Sequence, residues 1–543
     1  MNMKFKTLLF ILFIPKLFFS QNFNFFKESD ESFIINTNDN TFLAGETLFY
    51  DVHVKNTKDT LNSKIIYIEL VDKNNENTLR QEKENKTNSI YGDIFIQTHL
   101  KTGIYKLIVF SKKSLLQTKN KYNEIEISII NPYQSNILFI EDILPQEKKS
   151  KTINILNKTK FRTREKIDFK LPDFNTEKVS VSVKRLNNFL EIKKTDSKNS
   201  QANDSQTSNF NLKQLPEIRG KIISGKILNY QNTDQITNYV SLSINKTISI
   251  TKISSVSSDG RFIFLLEKPI FENEILIQPL FKTDKFEIIL DKINFDYNLL
   301  NWENKLIISK KYLNQIYERS IANQIEVAYY NSKKDTISEH NNQEYFYSKN
   351  FREIQFNDFT KFNTIKDLLV EIIDGVSTKK IEGINYIFIY NQYTNLGRDL
   401  PALTLLNGTI VQDYEILFNL NAKKINKVQI VDDNYYLGPK LYNGIINFIT
   451  DENLIETNFS PYIKIEIQPT LIDKKYYKES YLNSNKQNIP DQRFHLYWNS
   501  NLNKNSIDSF YTSDIEGDFI FEITTIDKHG HLEKYTQNFE VKK

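Results

Sequence analysis

The histidines are the first residues to weigh for chemistry. There are six, His53, His99, His340, His495, His529 and His531, and only His529-Gly530-His531 stand close together. A zinc site needs three or four ligands at suitable spacing. The chain has no cysteine and no H-E-x-x-H, so that pair reads as solvated turn residues. No G-x-S-x-G seats an activated serine. S-x-x-K occurs from Ser243 to Lys246 and from Ser377 to Lys380, and Lys101-Thr102-Gly103 spells K-T-G. But K-T-G precedes both and S-D-N is absent, which leaves chance matches. Gly220 to Lys226 has the spacing of a phosphate-binding loop, yet Ile227 stands where a Ser or Thr would hold magnesium. Asp432-Asp433, and Asp72 beside Asn74-Asn75, lack the spaced oxygens of a calcium loop. The expectation is a non-enzymatic chain with no metal and no cofactor.

The elements around these residues are mostly strands. The chain has 543 residues, a length that suggests roughly three to five domains. Hydrophobic residues make up 39%, charged residues 25%, and the net charge is +4, so no field for nucleic acid is implied. Lys4 and Lys6 precede an apolar run from Leu8 to Pro15. Lys16, Leu17 to Phe19 and Ser20-Gln21 follow. This is the pattern of a signal peptide, residues 1–20, cleaved after Ser20 and too short to span a membrane. No second transmembrane span is expected. An exported chain without disulfides must draw its stability from several β cores. The 29 Tyr and 39 Phe fit such cores and their cross-strand pairs.

From residue 25 to 133, short β-branched and aromatic runs alternate with turn signals, as in a sandwich. Within it, Gly45-Glu46-Thr47, the strand "SKIIYIELVD" and "LKTGIY" around Gly103 and Tyr105 follow one another. In that order they resemble the macroglobulin-type (MG2) domain of the alpha-2-macroglobulin superfamily. Gly45 and Gly103 are both expected at positive φ. The resemblance implies a fold. The thioester mechanism of full-length members needs a cysteine, which is missing here. Residues 134–192 read as a second β-sandwich unit and 193–217 as a polar linker. Residues 218–298, with the hairpin turn Asp259-Gly260 ahead of Phe262 and Phe264, resemble a carboxypeptidase regulatory-like β-sandwich, a name that implies no peptidase activity. Residues 299–350 form a helical connector. Its helix spans Ser309 to Tyr330 and packs through Tyr312, Ile316, Ile321 and Ile325.

Residues 351–455 carry Asp374-Gly375-Val376, then Pro401 to Gly408, Ile425 to Ile430, and Tyr442 to Thr450 with Gly444. This series resembles the plug domain of TonB-dependent outer-membrane receptors. Asp374 stands for the usual proline, Asn407 for the usual aspartate, and no TonB box is seen. About 90 residues follow Thr450, too few for the strand ladder of a barrel. They read as a C-terminal β domain, 456–543. The fold class is therefore mainly β, a string of Ig-like, macroglobulin-like β-sandwiches plus a small α+β plug-like domain. The combination resembles exported Gram-negative envelope proteins. It implies a chain in the periplasm or at the cell surface, associated with the outer membrane. There it would dock onto a barrel protein for secretion, assembly or uptake, through Asp399, Leu400, Pro401, Asn407, Gly408, Asp413 and Tyr414. The alternatives are a macroglobulin-like endopeptidase inhibitor that binds proteases, and a surface adhesin for glycans.

Overall fold

The computed structural model describes residues 31–134, 139–140, 150–186, 190–192 and 215–543, except 57–60, 75–78, 118–120, 175, 231–237, 246–247, 282–284, 294, 303–305, 338–343, 348–349, 357–361, 391–398, 451–461, 483–487 and 503–506. The expected signal peptide and most of the expected linker lie outside the described residues. The chain is mainly β and divides into two units. The first holds the chain up to Ile218, Asn294–Ser338 and Leu471–Lys543, and the second holds Arg219–Ile293 and Glu339–Thr470. Among the described residues, no helix is long and apolar enough to cross a membrane.

In the first unit the opening sandwich faces a three-stranded sheet against a five-stranded one. The smaller orders Glu31–Thr37, Thr47–Asn56 and Ser89–Phe95. The larger orders Thr41–Leu43, Tyr122–Ile130, Gly103–Phe110, Ile65–Val71 and Leu79–Glu84. Period-two alternation sends Leu48, Tyr50, Val52 and Val54 inward against Ile66, Ile68, Leu107 and Val109. Gly45 takes φ +94°, and a Cβ there would lie 2.7 Å from Asn323 Nδ2. Gly103 departs from expectation: it begins a strand and is not among the positive-φ glycines. Its neighbour Tyr105 is buried and donates to the Lys101 carbonyl at 3.0 Å. The end of the expected linker is also fixed. Glu217 is buried, bonded to Lys112 Nζ at 2.8 Å and to the Tyr67 hydroxyl at 2.7 Å.

The second sandwich corrects the expected domain order. Lys178–Arg185 lies between Gly517–Ile526 and His495–Asn499 in one sheet, with Leu532–Lys542 and Lys151–Thr152 beyond. Lys166–Lys170 pairs with Ile507–Tyr511. Segments 134–192 and 456–543, read as separate units, thus share one sheet and one core, in which Phe169, Phe510, Phe521 and Phe539 meet. Alternation reveals a strand's faces but not its partner.

Helix α1, Leu313–Ala328, buries Ile316, Arg319, Ser320 and Ala322. Ile321, expected inside, is 58% exposed. Five residues from Ile316 is about 500° of helical turn, which places Ile321 on another face.

In the second unit Lys221–Ile227 pairs with Arg261–Leu266 and Ile288–Leu290. Tyr239–Asn245 sits between Ile248–Ser255 and Glu274–Pro279. Gly260 takes φ +84° in the turn after Asp259. Ile463–Glu466, expected in the C-terminal domain, pairs instead with Glu274–Pro279. The part expected to resemble a plug domain is a five-stranded sheet ordering Arg352–Gln355, Ile425–Val431, Ile445–Thr450, Leu403–Leu406 and Thr409–Ile410. Helices α2, Ile365–Glu371, and α3, Tyr414–Phe418, supply core residues on this sheet. A hairpin of Val376–Ile381 and Ile384–Ile389 follows Gly375, which takes φ +75°. Gly444 takes φ +84°, where a Cβ would lie 2.4 Å from the Val431 carbonyl oxygen.

Candidate functional site

The first unit contains a cleft of about 1030 Å³. Its lining comes from the opening sandwich at Asn38–Phe49 and Tyr91–Phe95, from helix α1 at Arg319–Val327, from the segment Asp473–Glu479, and from the second sandwich at Lys184, Phe494–Asn501 and Ser509–Tyr511. Lys474–Lys475 adds a two-residue ladder with Thr336–Ile337.

The charges lining the cleft are largely matched by one another. Arg319 donates through Nε and Nη2 to both Glu46 oxygens at 2.5 and 2.7 Å. Lys184 meets Asp39 at 3.1 Å, Lys474 meets Asp93 at 2.9 Å, and Lys83 meets Asp473 at 3.2 Å. Lys333 lies 2.7 Å from Glu326, and Glu326 also accepts from the Gln492 amide at 2.6 Å. As many acidic as basic side chains line the walls, so the interior carries no strong field of either sign.

The imidazole of His495 stacks on Phe49 with centroids 5.8 Å apart, and its Nε2 lies 3.3 Å from Ser182 Oγ. Burial, and then the Lys184 charge, push its pKa down to about 3. It is neutral at ordinary pH and poorly placed as a general base, whose pKa should lie near working pH. Burial and the Asp93 charge push the Tyr476 phenol well up, so it stays a hydrogen-bond donor. The indole Nε1 of Trp498 is buried without a protein hydrogen-bond partner. At the mouth, Phe95, Val327 and Tyr330 are 50%, 54% and 58% exposed. Such a surface can hold a ligand by apolar contact and a few directed hydrogen bonds.

The residues expected to dock a partner lie in the second unit and divide into two sets. Asp399 and Leu400 are exposed and Pro401 is half-buried. Asp413 caps helix α3 by accepting from the Ile416 amide at 3.1 Å. The others are held internally. Asn407 bonds Thr450 through both ends of its amide, at 2.7 and 2.9 Å. The Gly408 amide donates to Asn447 at 3.0 Å, and the Gly408 carbonyl accepts from Thr251 Oγ1 at 2.6 Å. Tyr414 is buried against Tyr386, and burial raises its pKa to about 12. Gly408 and Tyr414 therefore reach a partner only if this unit rearranges, whereas Asn407 is half-buried.

Sequence reading missed the cleft because its walls come from several distant segments. The one local signal was Glu46, singled out as a fold marker without its Arg319 partner. His529 and His531 do lie in a turn, where the Asp527 carboxylate accepts from both backbone amides at 2.8 Å. Among the described residues, no group of three or more His, Asp or Glu could hold a metal ion.

No family model matches the chain, and no curated protein matches it. Solved structures that superpose on parts of it include the following. A beta-glucosidase from Listeria innocua in complex with glucose has 12% identity and a TM-score of 0.14, covering 18% of this chain and 16% of that one. Salmonella alpha-2-macroglobulin reacted with methylamine has 7% identity and a TM-score of 0.15, covering 94% and 23%. Trypsin-activated alpha-2-macroglobulin from Escherichia coli has 8% identity and a TM-score of 0.22, covering 94% and 41%. The chain thus spans less than half the length of each. Scores this low do not align one overall fold with another, and the reading below rests on the chain's own residues.

Proposed function

We propose that this chain is an exported, non-enzymatic binding protein of the bacterial envelope whose ligand occupies the cleft of the first unit. The observation that carries this reading is the cleft itself. It has about 1030 Å³ of space and exposed apolar side chains at its rim, Phe95, Val327 and Tyr330. The non-enzymatic reading is favoured because the carboxylates named in its walls are engaged by cations and its imidazole is held neutral. Export is favoured by the signal-like N-terminus. The test is a photocrosslinking residue placed at Val327 in producing cells, with Leu532, 38% exposed elsewhere on the same unit, as control. A discrete adduct at Val327 and not at Leu532 is expected. Equal yields at both sites, or none at Val327, would overturn the reading. Recovery of the full-length chain, leader attached, from the cytoplasm would overturn export.

Docking of the plug-like part onto an outer-membrane barrel stands as a second reading. One observation favours it. Ile381 and Ile384, 41% and 45% exposed, flank the tight turn Glu382-Gly383 of the hairpin, an apolar tip suited to a partner. Co-purification of a barrel protein that is lost with Ile381→Lys and Ile384→Lys supports it. Co-purification that is unchanged, or absent throughout, removes it.

A further inference from the structure

We infer that the cleft takes an uncharged, extended polypeptide segment, which adds as a strand to the outer edge of His495–Asn499. This rests on the reading of the cleft as a ligand site and goes further, to the ligand's class and pose. Two of the strands that border the cleft do so in different ways. Ser89–Phe95 contributes only Tyr91, Asp93 and Phe95, the alternate residues of one face. In contrast, every residue from Phe494 to Asn501 lines it. Leu496 and Tyr497 do so although their side chains are buried in the sandwich core. A strand that presents consecutive residues, including inward-facing ones, presents its backbone edge.

That edge is open, because His495–Asn499 is the outermost strand of its sheet. Open edges carry unpaired amides and carbonyls that accept a further strand. Arg493 already takes the Leu496 carbonyl at 3.0 Å, so the added ladder runs from Tyr497 towards Asn501. The matched charges of the walls favour an uncharged segment, since an extra charge there would be desolvated without a counterion. An oligosaccharide would use the aromatics but has no amides to continue a ladder.

The test selects a phage-displayed library of random linear peptides on the whole protein and counter-selects on Val327→Trp, which fills the mouth. Uncharged peptides are expected, and N-methylation of the best one should abolish binding at alternate positions only. Amide exchange at Tyr497–Asn499 should slow on binding. Selected peptides that bind but tolerate N-methylation everywhere would overturn the strand pose and leave the cleft a ligand site. Oligosaccharide binding blocked by Val327→Trp, with no peptide enriched, would overturn the polypeptide class alone. If Val327→Trp changes the binding of nothing, both readings fall.

Discussion

Glu46 and Arg319, 273 residues apart in the chain, form a two-pronged ion pair at 2.5 and 2.7 Å. Glu46 also accepts from the Leu43 amide at 2.8 Å, and Arg319 reaches the Thr41 carbonyl at 3.2 Å. Helix α1 is thereby held on the turn that opens the strand Thr47–Asn56. Both side chains are largely buried, so losing one leaves the other charge desolvated. Arg319→Met should cost about 3–5 kcal/mol, and the double change Glu46→Gln with Arg319→Met should recover most of it. Urea unfolding of the two variants measures the difference. Equal losses would mean that the pair is not coupled.

The contrast between Gly444 and Gly375 tests the backbone argument. Both take positive φ. At Gly444 a Cβ would also meet the Val431 carbonyl oxygen at 2.4 Å and Ile389 Cδ1 at 2.9 Å. At Gly375 the nearest atom is 3.5 Å away. Gly375→Ala should cost about 1 kcal/mol, from conformation alone, and Gly444→Ala about 3 kcal/mol or more, from conformation plus overlap. Thermal unfolding of both variants checks the order.

These cases show what could be read from the chain and why. Local conformation was partly legible. Gly45 takes the positive φ expected of it, because a turn's demand for glycine is local, whereas Gly103, expected there for the same reason, begins a strand. Alternation found strands such as Thr47–Asn56 and Lys178–Arg185. It could not show that Lys178–Arg185 lies beside Gly517–Ile526, because the strand period is the same for any partner. The cleft was hidden for the same reason, being made where several distant segments converge. Helix α1 was found, yet its buried face was misjudged, because an arginine holds the inward position through its distant partner.

In the second unit, Ser241 and Ser243 are buried, and their hydroxyls have no hydrogen-bond partner. Beside them in the ladder, Thr251 and Gln278 each bond a backbone carbonyl of the Gly408–Ile410 segment, at 2.6 and 2.9 Å. Removing an unsatisfied hydroxyl relieves its desolvation with little loss of packing. Ser241→Ala and Ser243→Ala should each raise stability by about 1 kcal/mol, whereas Thr251→Ala, which breaks a made bond, should lower it. Denaturant midpoints give the signs.

Asp51 sets one pH dependence. It is buried beside Lys178, which also bonds Ser89 Oγ at 2.5 Å. Burial raises its pKa from 3.8 to about 6 against the pull of Lys178. The folded state then holds this proton more tightly than the unfolded state. The contribution of this group to stability must rise as pH falls from above about 6 to below 3.8. Wild type should gain stability over that window relative to Asp51→Asn, measured by urea unfolding at each pH. Parallel curves would remove Asp51 as the cause.

Asp491 sets the opposite dependence. Burial pushes its carboxyl up, but the Arg493 guanidinium, its hydrogen bonds and Lys333 outweigh this and hold the group below 3.8. Its stabilising contribution is complete above that value and is lost as pH falls through the depressed folded pKa. Lys333 stands 3.6 Å from Asp491, 3.8 Å from Glu479 and 2.7 Å from Glu326. Lys333→Met removes the cation shared by the three carboxylates, so Asp491 takes its proton at higher pH. Acid unfolding of this variant should begin at higher pH than in wild type, while Lys333→Arg should restore the wild-type onset. Asp51 and Asp491 share no partner, so Lys333→Met should lower stability in acid by the same amount in an Asp51→Asn background. An unchanged acid limb in that double variant would mean that Lys333 does not hold this cluster.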